Sequence, residues 1–81
     1  MHPLIIFLLT FHPLKNIIPA RTYISNHVQN KINNYIILSD VDDLMCVNFK
    51  TESLEEFFKY LPIIGVEFKK SGDYYFFYRK Q

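Results

Sequence analysis

The chain has 81 residues, a formal net charge of +1, 49% hydrophobic and 17% aromatic residues, and only 2 glycines and 4 prolines. That length allows one small domain with a modest core, and the apolar content excludes a disordered chain. The scarcity of glycine excludes flexible linkers, collagen-like repeats and glycine-rich phosphate loops, and a charge so near zero does not by itself imply a polyanionic partner.

Leu4 to Phe11, LIIFLLTF, is an apolar run between Pro3 and Pro13. It falls far short of the about 20 residues a membrane-spanning helix needs, so a membrane role is not expected. Its length suits the apolar part of a signal peptide, and IPA before Arg21 could pass as a cleavage site. No Lys or Arg precedes the run, however, and Lys15 lies on its far side, so secretion is not expected either. The competing reading is a strand covered on both faces, or an extended arm, in residues 1–20 ahead of an α+β domain over residues 21–81. His2 and His12 flank the run and read as surface residues.

RTYISNHVQNKINN carries Ile24, Val28 and Ile32 at steps of four, a thin helical stripe with Thr22 or Ser25 as caps and an Asn-rich stop. Tyr35 to Leu38 is a short β-rich run. SDVDD follows as a turn in which Asp and Ser bond their own backbone. LMCVNFK alternates, with Met45, Val47 and Phe49 on one face and Cys46, Asn48 and Lys50 on the other, as in a half-buried strand. Cys46 then has no base or cation beside it and reads as a packing residue, not a nucleophile. As the single cysteine it leaves no intrachain disulfide. A small secreted domain usually carries several, so the expected setting is reducing, cytoplasmic or inside an organelle. The abundance of Asn, Ile, Lys, Tyr and Phe is what an AT-rich genome encodes, which fits a virus, an organelle or an AT-rich bacterium.

The helix in TESLEEFFKYLP is marked at both ends. Ser53 and Glu56 match a capping box, with Thr51 as a rival cap. Leu54, Phe57, Phe58 and Leu61 form one wide apolar face. The acids Glu52, Glu55 and Glu56 sit at the positive end of the helix dipole, Lys59 lies nearer the negative end, and Pro62 stops the helix. IIGVEFKK, SG and DYYFFYRK then read as a tight hairpin. With Ser71-Gly72 as a two-residue loop, Phe68 faces Tyr75, Val66 faces Phe77, Glu67 faces Phe76, and Gly65 faces Tyr78, whose ring would lie over the glycine. Phe68, Val66 and Phe77 match the helix face and form the core.

The other face of this hairpin shows Tyr74, Phe76 and Tyr78 beside Lys69 and Lys80, a basic aromatic platform. Three covers are expected for it: the N-terminal apolar run, a protein partner or second copy, or unpaired nucleic-acid bases stacked on the rings with Lys69, Arg79 and Lys80 near phosphates. No RNP-type motif is present.

Charge is unevenly spread. Residues 40–56 hold Asp40, Asp42, Asp43, Glu52, Glu55 and Glu56 against Lys50, between two mildly basic ends, as a turn and a helix N-terminus dictate. Glu67-Phe68-Lys69 on a strand resembles the E-x-K half of a metal-dependent nuclease. That resemblance implies a second carboxylate for Mg²⁺ from Asp40, Asp42 or Asp43. A helix intervenes, though, and a hairpin follows where that family has a helix. SDVDD lacks the calcium-loop pattern, no Ser lies in a G-x-S-x-G elbow, and the three His residues and lone Cys are too scattered for zinc. GVEFKKSG, Gly65 to Gly72, is similar to the strand and turn near the end of the KH-bearing ribosomal protein of the small subunit. There Asp73 replaces an arginine, and the following glycine and alanine are absent; the resemblance implies a ribonucleoprotein role.

Taken together, the residues predict a single α+β domain of αββαββ order. Its mostly antiparallel sheet has four to five strands, with one or two helices on one face. The expected role is a non-catalytic interaction or assembly module without metal or cofactor. Its partner is a protein or a second copy, with RNA or single-stranded DNA as the alternative and a nuclease as the remote one.

Overall fold

In a computed structural model, residues 16–51 and 53–81 are described. The apolar run Leu4–Phe11 and its flanking prolines lie outside them. The elements are β1 (Ile17–Pro19), α1 (Ala20–Val28), β2 (Tyr35–Ile37), β3 (Met45–Val47), α2 (Leu54–Tyr60), β4 (Val66–Ser71) and β5 (Tyr74–Arg79). After β1 the order is αββαββ, and the class is α+β. The strands are divided between two sheets: β1 pairs antiparallel with β3, while β2, β5 and β4 form a three-stranded sheet in that order. In the latter β4–β5 is antiparallel and β2–β5 is parallel.

β1 begins the fold before Arg21. Ile17, Ile18 and Pro19 face Val47, Cys46 and Met45. This pairing decides which side of β3 is buried. Cys46 lies opposite Ile18 and is buried, whereas Met45 is exposed and Val47 half-buried. Within β3 the buried side is thus the Cys46 side, while Phe49, beyond the strand end, packs against the core through Tyr23 and Tyr60. Alternation separates two faces, and only the partner strand selects between them. Burial pushes the Cys46 thiol pKa up, which keeps it protonated and unreactive.

α1 starts at Ala20, so Thr22 and Ser25 lie inside the helix and cap nothing. Pro19, with φ −60° and ψ 142°, holds the N-cap position without a side-chain bond. The Ala20 N–H instead donates to the Leu44 carbonyl at 2.9 Å, a tertiary bond that replaces a cap. The expected stripe is present: Ile24, Val28 and Ile32 are buried, joined by Ala20 and Tyr23. Ile32 sits past the helix end, in the turn whose Lys31 and Ile32 N–H groups both bond the Val28 carbonyl.

α2 follows its sequence signals. Ser53 Oγ accepts from the Glu56 N–H at 3.2 Å. Phe57 and Leu61 are buried, and Leu54 and Phe58 pack against the core. Pro62 ends the α-helix by turning the chain into a 3₁₀ helix, Leu61–Ile64, closed by Gly65 at φ 89°. Gly65 is thus a left-handed C-cap and not a strand residue under Tyr78. A Cβ there would meet only the Leu44 side chain at 3.5 Å, so backbone conformation, not space, demands the glycine.

The hairpin forms with its loop one residue later than expected, at Gly72-Asp73. Gly72 has φ 60° and no other residue outside glycine has positive φ among those described. A type II′ turn puts glycine first, whereas a loop opening on Ser71 would impose that conformation on serine. Phe68 consequently faces Phe77, Lys69 faces Phe76, and Glu67 faces Tyr78. The shift is one full pleat repeat, so every side chain keeps its expected face. Val66 and Phe77 are fully buried, but Phe68 lies at the margin of the core, stacked on Phe58 at 4.3 Å.

One core joins both sheets and both helices. Phe57 is its hub, with ring centroids 5.8 Å from Tyr23, 5.5 Å from His27 and 6.1 Å from Phe77. α2 therefore closes the inner face of the three-stranded sheet.

A candidate protein-interaction face

The outer face of that sheet has no cover among the described residues. β5 is the central strand, and its alternate residues Tyr74, Phe76 and Tyr78 point away from the core. β2 places Ile36 beside Phe76. Leu38 continues β2, its N–H bonded to the Phe77 carbonyl at 2.9 Å. On the far side β4 contributes Lys69 beside Phe76 and Glu67 beside Tyr78. Ile36, Leu38 and Tyr74 are 41%, 40% and 45% exposed, values that leave about half of each apolar side chain in water.

Leu38, Asp40, Lys69, Ser71, Phe76 and Tyr78 line an open concavity of about 610 Å³ on this face. Three of the five residues singled out by sequence, Lys69, Phe76 and Tyr78, meet there. Tyr74 adjoins them, its ring 6.3 Å from that of Phe76. Lys80 does not join them. It lines a second hollow, of about 410 Å³, with Phe58, Pro62, Val66, Glu67, Phe68 and Tyr78, and its N–H bonds the Gly65 carbonyl at 2.8 Å. Ile36 and Leu38 were not anticipated, and Asp40 was expected only in the acidic turn or as a carboxylate partner of Glu67. The signal for Ile36 and Leu38 is their alternation in a short run, which acquires meaning only once β2 lies beside β5.

The acidic turn serves the scaffold of this face. Ser39–Val41 forms a 3₁₀ helix, and the Asp side chains reach distant groups instead of their own backbone. Asp40 Oδ1 accepts the Arg79 N–H at 3.0 Å, at the end of β5. Arg21 Nε donates to Asp42 Oδ1 at 2.7 Å and its Nη2 to the Leu38 carbonyl at 3.1 Å. Asp43 lies 3.7 Å from Arg79. These contacts tie β2, β5 and α1 together at one end of the sheet. Among the described residues no group of three or more His, Cys, Asp or Glu is placed to hold a metal. No helix among them is long and apolar enough to cross a membrane.

No protein-family model matches the chain, and comparison with curated proteins and with solved structures finds no match.

Proposed function

We propose that this chain is a small, non-catalytic interaction module that binds a protein surface through the outer face of its three-stranded sheet. The observation that carries this reading is the contiguous patch of exposed Ile36, Leu38 and Tyr74 around half-buried Phe76 and Tyr78 on one sheet face. Contiguous apolar surface of this kind marks interaction sites on small proteins. Aromatic residues with a polar rim suit the centre of a protein interface. Nucleic acid is the weaker occupant. Aliphatic Ile36 and Leu38 offer bases nothing to stack on, and the carboxylates of Asp40 and Glu67 repel phosphate on the face where Lys69 would attract it.

The test is site-specific photo-crosslinking. A benzophenone amino acid replaces Phe76 in the full chain, with a control at Asn26 on the exposed side of α1. A protein adduct from position 76 and none from position 26 is the expected result. An absence of protein adducts, or adducts with nucleic acid alone, overturns the reading.

A further inference from the structure

We infer that the partner is a second copy of this chain, packed outer face to outer face with its strands reversed about a two-fold axis. This rests on the interaction reading above and adds the identity of the occupant. The argument comes from the register. Ile37, Phe77 and Phe68 lie in one row across the sheet and point inward. On either side of that row the outer face carries two further rows. One is Ile36–Phe76–Lys69. The other is Leu38–Tyr78–Glu67, with Tyr78 facing Glu67 and Leu38 sharing the concavity with Tyr78. Each row reads aliphatic, aromatic, charged from β2 to β4, and the two charges are opposite.

A two-fold axis lying in the interface along the central row turns the face over and reverses the strands. It keeps β2 over β2, β5 over β5 and β4 over β4. The first row of one copy then covers the second row of its partner. Ile36 meets the partner's Leu38, Phe76 meets the partner's Tyr78, and Lys69 meets the partner's Glu67. Symmetry repeats each contact, so one patch completes itself, as an isologous interface requires. Two such sheets stacked outer face to outer face, about 10 Å apart, form an aligned sandwich. A face meant for a different partner has no need of this internal match in shape and sign.

Charge exchange in the full chain tests the geometry. The readout is mass by light scattering and the dimer dissociation constant by sedimentation, with circular dichroism confirming the fold of each variant. The unaltered chain is expected to be a dimer. Lys69→Glu places two like-charge pairs across the axis, and Glu67→Lys does the same with the opposite sign. Each should weaken the dimer about tenfold or more. The double exchange, Glu67→Lys with Lys69→Glu, restores both pairs and should recover the dimer. A monomer at every concentration overturns the inference, as does a dimer indifferent to the single exchanges or one the double exchange fails to rescue. Association through Leu4–Phe11 would show that indifference. The crosslinking at position 76 separates the two levels. An adduct with another protein sinks self-association and spares the interaction reading, whereas no protein adduct at all sinks both.

Discussion

The two faces of the three-stranded sheet are built from neighbouring residues of the same strands, yet they meet different surroundings. The inner face, with Val66 and Phe77 at its centre, is closed by Phe57 of α2 and by the Leu61–Ile64 turn. The outer face repeats the same mixture of aromatic and aliphatic side chains with nothing above it among the described residues. Composition alone therefore does not make a core. What separates the faces is the helix, placed on one side by its own cap and by the left-handed glycine that follows it.

Adjacent residues of β5 give the largest contrast. Phe77 is fully buried, and Phe77→Ala should cost about 3–5 kcal/mol through lost transfer energy and an unfilled cavity. A domain this small has little more than that in reserve, so urea denaturation should find the variant largely unfolded. Phe76, half-buried on the outer face, should lose about 1 kcal/mol or less on the same change in dilute solution. Equal losses at the two positions would mean that the outer face is covered after all.

How far the sequence carried this picture follows from the range of the interactions. Ser53, Glu56 and the Phe57 face act within one helix, and the hairpin joins neighbouring strands, so these elements were legible. The loop slipped by one residue because Ser71-Gly72 and Gly72-Asp73 look alike until it is known that Gly72 takes positive φ and Ser71 does not. The faces survived because a full pleat repeat preserves them. The inward side of β3 was illegible, since it depends on Ile18 across a distant pairing. Ile36 and Leu38 were missed for the same reason: β2 pairs with β5, across the whole β3–α2–β4 segment. The α1 cap could not be read because the Leu44 carbonyl performs it from another part of the chain.

Tyr23 probes how well the inner side is sealed. It is fully buried, its hydroxyl has no hydrogen-bond partner among the described residues, and burial raises its pKa to about 12, with lesser contributions from Cys46 and Tyr60. An unfolded tyrosine ionises near pH 10. The raised value means that Tyr23 contributes its full stability below pH 10 and loses it as pH rises towards 12, by about 1.4 kcal/mol per pH unit. Tyr23→Phe removes both the titration and an unpartnered buried donor. It should match or exceed the unaltered chain at pH 7, and its advantage should widen between pH 10 and 12. Chemical denaturation across that range checks the sign; a constant difference between the two proteins would mean that the hydroxyl reaches solvent.

Gly65 sets the direction in which β4 leaves α2, and so which side of the sheet the helix covers. At φ 89° an alanine is strained even though its Cβ has room beside Leu44. Gly65→Ala should cost about 1–2 kcal/mol. The expected signature is a lowered denaturation midpoint with an unchanged slope, since the surface buried on folding stays the same.

Ser53→Ala should have the smallest of these effects. It leaves every aromatic contact in place and removes only the acceptor of the Glu56 N–H. The expected loss is about 1 kcal/mol, the usual worth of an N-cap. Its distribution is more telling than its size. α2 is short, and an isolated helix of that length does not hold itself together in water, so its first turn should be among the first parts of the inner cover to open. Amide hydrogen exchange in Ser53→Ala should therefore quicken at Glu55, Glu56 and Phe57 before it quickens in β5. Uniform acceleration through β5 would instead mean that helix and sheet open as one unit, and that the inner face is never exposed without losing the outer one.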